Sequence, residues 1–166
     1  MNVHIRIPGS LYTAAIEDLR RPHGFAFERV GFFSTSTAEL GADRILVLLT
    51  KYHAVPDDHY LRDRSVGAMI GSDAIRAAMQ RVLDERLGQI HVHLHEHPGE
   101  PRPSRIDLRD TPRVVRSLSS VGPKQTSGYM ILSDDGAWAE LALPGRGVPA
   151  TATKITVPGF PFLFLR

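Results

Sequence analysis

The sequence predicts an α+β fold in which a mostly antiparallel, curved sheet forms a partial barrel flanked by two or three helices. Three observations predict it. Short runs of alternating or continuous apolar residues recur along the chain, as in β-strands. From Ser72 to Leu87 the apolar residues follow the three- and four-residue spacing of an amphipathic helix. Asp134-Asp-Gly136 separates two extended runs, as in a β-hairpin.

Length and composition are typical of one domain spanning residues 1–166. Of the 166 residues, 42% are hydrophobic and 23% charged, and there is no cysteine. Thiolate metal sites and cysteine nucleophiles are therefore excluded. A formal net charge of +2 does not predict a nucleic-acid partner. With no apolar run of about 18 residues and no secretion signal, we expect no membrane segment and a cytoplasmic location.

The first third of the chain predicts strands on both sides of a helix. Ser10 is a suitable N-cap residue, and Pro8-Gly9 ends the run before it. The apolar run at 44–52 is typical of a central strand buried on both faces. The predicted elements are an edge strand over 3–7, a helix over 10–20, a strand over 25–33, a loop over 34–41 and a strand over 44–52.

The remainder predicts a long helix followed by a histidine-containing strand. Ser72 is a plausible N-cap of that helix, and Gly88 is a plausible stop. Thr111-Pro112 suggests that a new helix begins there. The predicted elements are a helix over 72–87, a strand over 89–95, helical turns over 104–110, a helix from 111 to about 118, a hairpin of 129–132 with 137–143, and strands over 153–157 and 160–165.

Four of the eight histidines occupy alternate positions in one stretch, His91, His93, His95 and His97. On a strand, side chains two residues apart share a face and are roughly 6.5–7 Å apart along the chain. His95 and His97 can therefore converge on one metal ion. A zinc site needs at least one further ligand, which in a chain without cysteine must be a histidine or a carboxylate.

Asp107 is the candidate third ligand. Ser104-Arg-Ile-Asp107 has the spacing of a capping box, with Asp in place of Glu, so Ser104 would begin a helix and Asp107 would lie on its first turn. A strand end that faces this helix start would bring His95, His97 and Asp107 together. Three protein ligands leave a fourth position for water, as in catalytic zinc sites.

Hydrolysis at such a site also needs a carboxylate that accepts a proton from the water. Glu28 is the candidate. In the predicted strand over 25–33 it shares an apolar face with Val30 and Phe32. An unpaired carboxylate on such a face is costly unless the protein uses it.

Together these residues resemble the JAMM motif of the JAB/MPN metalloprotease family: His95-Glu-His97-Pro98, then Ser104-Arg-Ile-Asp107, with Glu28 upstream in a segment ending in Gly31-Phe-Phe. Five residues separate Pro98 from Ser104, one fewer than the commonest family spacing. The order of the predicted elements is similar to that of the family's curved sheet with flanking helices.

The resemblance implies that His95, His97 and Asp107 hold zinc and that Glu28 is the general base and acid. It also implies that Ser104 steadies the bound water or the tetrahedral oxyanion. Members with the intact motif cleave isopeptide or peptide bonds after the C-terminal Gly-Gly of ubiquitin or ubiquitin-like proteins. A deubiquitinase-like activity on a ubiquitin-like or sulfur-carrier protein is therefore expected.

Alternatives remain open from the sequence. The chain could be a non-catalytic scaffold or binding module of the same fold, or a histidine-rich metal-binding protein. Asp110 competes with Asp107 as third ligand. The resemblance assigns no ligand role to His91 and His93, for which a supporting or core role is favoured over direct coordination. A stripe of arginines is either a solvated face or a docking surface for an acidic partner; its members are Arg102, Arg105, Arg109, Arg113 and Arg116. The oligomeric state is not predicted.

Overall fold

One curled, mixed sheet shaped like half a barrel contains all the strands of the computed structural model, which describes residues 1–165. Within these residues there are nine strands and three α-helices. In chain order they are β1 (Asn2–Arg6), α1 (Gly9–Leu19), β2 (Val30–Glu39), β3 (Arg44–Ala54), α2 (Ser72–Glu85), β4 (Gly88–Leu94), α3 (Arg105–Val121), β5 (Ser127–Leu132), β6 (Ala137–Ala142), β7 (Ala150–Thr151), β8 (Lys154–Val157) and β9 (Leu163–Leu165). The predicted α+β class and curved sheet are confirmed.

The strand order is β7-β6-β5-β4-β2-β3-β1-β8-β9. Most neighbouring strands are antiparallel, as predicted, but β1 is parallel to both β3 and β8, and β4 is parallel to β5. The prediction that the first strand is an edge strand is therefore wrong. Strands from the far end of the chain, β8 and β9, extend the sheet beyond β1, so that Val3 and Ile5 are fully buried.

The long strand β2 begins and ends later than predicted. Residues 25–29 are irregular, and the strand continues through the serine and threonine run that was predicted to be a loop. This run pairs with β3 on one side and β4 on the other, and the two ladders satisfy its backbone polar groups. The strand β3 is buried on only one face, through Ile45, Val47 and Leu49, and not on both as predicted.

A single helix, α3, replaces the two helical pieces that were predicted around Thr111-Pro112. Ser104 caps it, and Pro112 lies inside it. Gly88, predicted as a helix stop, is the first residue of β4, and Arg86 adopts the left-handed conformation after α2 instead. A Cβ atom at Gly88 would lie 1.8 Å from the carbonyl oxygen of Thr126, so close strand contact requires glycine there.

The two faces of the sheet carry different cores. On one face, apolar side chains of β4 such as Ile90 and Val92 join a large cluster that includes Ala15 and Leu19 of α1. On the other face, α2 and α3 cover β2, with Phe32 at the centre. The alternation along β4 therefore places its histidines on the face covered by α2 and α3.

The start of β2 is held by the buried hydroxyl of Tyr60. This hydroxyl accepts a hydrogen bond from the Val30 N–H at 2.9 Å and donates one to the Val30 carbonyl at 3.2 Å. Tyr60 is 5% exposed, so water cannot easily replace it.

Replacing Tyr60 with Phe should lower the free energy of unfolding by about 1–3 kcal/mol, because the Val30 N–H would be left without an acceptor. Tyr12→Phe is the matched control, since its hydroxyl makes no hydrogen bond within residues 1–165 and the side chain is only partly buried. Urea denaturation of the two variants beside the wild type measures the difference. Equal stabilities would show that the Tyr60 hydroxyl contributes nothing.

Candidate metal centre

The helix α3 connects two parallel strands. Because parallel neighbours cannot be joined by a tight turn, the chain must cross over one face of the sheet between β4 and β5. It does so through a proline-rich turn at 98–103 and then α3. The first turn of α3 therefore lies beside the end of β4, where the histidines are.

The predicted capping box is confirmed at the start of α3. The Ser104 Oγ accepts a hydrogen bond from the Asp107 N–H at 3.2 Å, and the Asp107 Oδ2 accepts one from the Ser104 N–H at 2.7 Å. This pair of bonds fixes the Asp107 carboxylate in one orientation. That orientation presents the carboxylate to the histidines of β4.

Three side chains meet closely at this point. The Nε2 atoms of His93 and His95 are 3.2 Å apart. The Asp107 Oδ1 lies 3.3 Å from the His93 Nε2, and the Asp107 Oδ2 lies 3.6 Å from the His95 Nε2. Ligands bound tetrahedrally to zinc at about 2.0–2.1 Å lie about 3.3 Å from one another, so the spacing suits one small ion.

Glu28 completes the cluster. It offers a carboxylate oxygen that lies within 4.8 Å of ligand nitrogens of both His93 and His95. This Glu/His/His group could hold a metal ion. We call Glu28, His93, His95 and Asp107 the metal cluster.

The structure brings together a different histidine pair from the predicted one. His93, which was expected to have a supporting role, joins His95 at Asp107, whereas His97 is exposed and its Nδ1 lies 2.9 Å from the Pro98 carbonyl oxygen. The alternation ends at His95 because the His97 N–H donates to the His95 carbonyl at 2.9 Å. The His97 carbonyl in turn accepts a hydrogen bond from Asp134 in the β5–β6 turn.

Glu28 reaches the cluster from an irregular segment and not from the predicted strand. The Phe27 and Glu28 N–H groups both donate to the Gly67 carbonyl, at 2.9 and 3.0 Å. Next to it, the buried guanidinium of Arg29 donates to the Arg21 carbonyl at 2.8 Å and to Asp57 at 2.7 Å. These contacts on both sides hold Glu28 in place without strand pairing.

The charges in the cluster perturb one another. Burial raises the pKa of the Glu28 carboxyl, although His93 partly opposes the effect. Burial alone would also raise the pKa of Asp107, but its hydrogen bonds with His93 and Ser104 hold that pKa well below its usual range. Burial and the neighbouring His93 lower the pKa of His95, which favours the neutral imidazole that binds metals.

A cleft with a volume of about 470 Å³ opens beside the cluster, and Glu28, His93 and Asp107 line it. His91 lies in its wall with Nδ1 buried and without a hydrogen-bond partner in residues 1–165. Desolvation lowers the pKa of His91 to about 3. Asp110, the alternative third ligand, also lines the cleft, but its carboxylate binds Arg109 at 2.7 Å.

No protein-family model matches the chain, and no curated protein matches it significantly. In the part of the chain that the structure describes, no helix is long and apolar enough to cross a membrane. The class of site is therefore defined by its own geometry: two imidazoles and two carboxylates at the edge of an open cleft.

Single alanine substitutions should distinguish the two histidine pairs. His93→Ala should lower zinc affinity by at least about tenfold because it removes an imidazole from the cluster. His97→Ala should bind zinc like the wild type. Isothermal titration calorimetry with zinc measures both variants, and a loss of affinity confined to His97→Ala would restore the pair predicted from the sequence.

Proposed function

We propose that this protein is a zinc-dependent peptidase or isopeptidase of the JAB/MPN type. In this proposal it hydrolyses the bond after the C-terminal Gly-Gly of a ubiquitin-like or sulfur-carrier protein. The single observation that carries the proposal is the meeting of His93, His95 and Asp107 within 3.2–3.6 Å of one another, with Glu28 beside them. The curled sheet with three helices is consistent with this family's fold.

His93, His95 and Asp107 would hold the ion. A zinc ion bound there would supply a water of lowered pKa and would polarise the scissile carbonyl. Asp107 is preset for ligation, because its carboxylate is oriented by the Ser104 N–H at 2.7 Å. The set of three leaves one coordination position for the reaction.

Glu28 is assigned the proton transfers. Its carboxylate lies within 4.8 Å of both imidazoles and lines the cleft, so it can contact both the attacking water and the leaving group. The water oxygen bonds to the carbonyl carbon, the carbon–nitrogen bond breaks, and Glu28 moves the proton from water to the leaving amine. Ser104 is exposed at the cap of α3, where its Oγ accepts a hydrogen bond from the Asp107 N–H, and the family resemblance assigns its hydroxyl to the tetrahedral oxyanion.

Glu28→Gln should retain zinc binding and lose activity, because the amide keeps the shape of the side chain but cannot accept the proton. Removing a general base of this kind lowers kcat by about 10²–10⁴-fold. The assay measures cleavage of Gly-Gly-ending ubiquitin-like fusions by the zinc-loaded chain, with a chelated sample as blank. Unchanged cleavage by the variant would remove Glu28 from the mechanism. Zinc binding with no cleavage by the wild type would favour the scaffold or metal-binding alternatives.

Gly67→Ala tests whether the position of Glu28 matters. A Cβ atom at Gly67 would lie 2.5–2.7 Å from the Glu28 carboxyl atoms, so this flexible carboxylate would have to move. We expect kcat to fall at least about tenfold with little change in melting temperature or zinc affinity, since proton transfer depends on hydrogen-bond reach. Gly24→Ala is the control, because no atom lies within 4 Å of its added Cβ. Equal activity in both variants would contradict this role of Gly67.

A further inference from the structure

The cleft beside the metal cluster is larger than glycine residues need. Its volume of about 470 Å³ falls within the range of small-molecule pockets. Much of its wall is apolar, formed by Val30, Ala68, Met69, Ile70, Ile75 and Val114. A glycine presents no side chain to such a wall, so the cleft fits a residue with a large apolar side chain.

The charges of the cleft favour an anion at its α3 side. Arg109 and Arg113 line the cleft together with three carboxylates, those of Glu28, Asp107 and Asp110. With a divalent ion bound, the two arginines, the three carboxylates and the ion together would carry one net positive charge. Arg109 is paired with Asp110 through two hydrogen bonds of 2.7 and 2.9 Å. Arg113 is exposed and makes no ion pair within 4.0 Å in residues 1–165, although its charge helps to lower the pKa of Asp110.

Arg113 lies on the same helix and in the same cleft wall as Asp107. It follows Asp107 by six residues on α3, which corresponds to about 9 Å along the helix axis. One amino-acid residue spans at most about 3.3–3.6 Å of chain, and the long arginine side chain can cover the remaining distance. Because Arg113 and Asp107 line the same cleft, a single residue is the shortest ligand that could place an amide nitrogen at the cluster and a carboxylate toward Arg113.

His91 lies in the cleft wall with its Nδ1 atom buried. Buried polar atoms are normally hydrogen-bonded, yet this nitrogen has no partner in residues 1–165. The His91 ring belongs to the cleft wall, between the ring of Phe32 at 5.5 Å and the ring of His93 at 5.8 Å.

We propose that the cleft binds the leaving-group side of the scissile bond, that the residue there has a large apolar side chain, and that its free carboxylate pairs with Arg113. This inference rests on the proposed function and makes the protein an exopeptidase that removes one C-terminal residue. Water adds its oxygen to the carbonyl carbon of the preceding glycine, and the carbon–nitrogen bond breaks. One proton of the water passes to the amine, which leaves as a free apolar amino acid.

The test compares matched peptides that end in Gly-Gly-Leu, Gly-Gly-Gly and Gly-Gly-Asp, each as free acid and as C-terminal amide, with the zinc-loaded full chain. The Leu free acid should have a kcat/KM at least about tenfold above its amide, because a hydrogen-bonded charge pair discriminates by about that factor. It should also have a higher kcat/KM than the Gly and Asp peptides, because only the leucine side chain buries apolar surface against the cleft wall. Equal kcat/KM values for acid and amide, or for Leu and Gly, would overturn the inference while leaving the proposed function intact.

Arg113→Gln should abolish the preference for the free acid, so that the kcat/KM values of this variant on the acid and the amide become equal. Arg116→Gln is the matched control, since Arg116 is an exposed arginine of the same helix that lines a different groove. Retention of the preference in Arg113→Gln would overturn the assignment of Arg113. A loss of preference in Arg116→Gln alone would do the same.

Binding of free leucine and glycine by calorimetry separates the two proposals. Leucine binding that is weakened by Arg113→Gln alone, without cleavage of any peptide, would show that the cleft binds an apolar amino acid through Arg113, and it would overturn the proposed hydrolysis together with the exopeptidase role that rests on it. Cleavage of Gly-Gly-ending isopeptide fusions, without leucine binding or a preference for a free carboxylate, would support hydrolysis and overturn the cleft assignment. If the protein neither cleaves any of these substrates nor binds leucine, both proposals are overturned.

Discussion

The parallel pairing of β4 with β5 is the constraint on which the candidate site depends. Parallel neighbours require a crossover, and here the crossover is α3. Because α3 must begin near the end of β4, its capped first turn brings Asp107 to the histidines of that strand. The same helix then forms one wall of the cleft, so this one connection provides both Asp107, the candidate metal ligand, and part of the cleft lining.

The alternation of side chains along β4 places apolar residues on one face of the sheet and histidines on the other. Ile90, Val92 and Leu94 join the large apolar cluster, while His91 and His93 lie on the opposite face. Buried imidazoles are costly unless they find partners, and Asp107 supplies one for His93. Glu28 lies in an irregular segment that is held by hydrogen bonds to the Gly67 carbonyl and by those of the Arg29 guanidinium.

Much of the site could be predicted from local patterns. Ser104 and Asp107 form the capping box that their spacing indicates, and Glu28 and His95 belong to the cluster. The choice of second histidine could not be predicted, because four alternate histidines offer more than one register. Counted from His97 the gap to Ser104 is one residue shorter than the commonest family spacing, and counted from His95 it is one residue longer. The spacing to Ser104 therefore does not indicate which histidine pair faces Asp107, and it could not predict that His93 belongs to the cluster.

The sequence by itself determined the features that depend on neighbouring residues: the helical and extended periodicities, the hairpin at Asp134-Asp-Gly136, the cap of α3 and the residue types able to bind a metal. Only the tertiary structure decided where β2 begins, that β1 is internal, and that His97 turns away from Asp107. These outcomes depend on hydrogen bonds between distant segments, such as Tyr60 with Val30 and Asp134 with His97, whose partners no local pattern specifies.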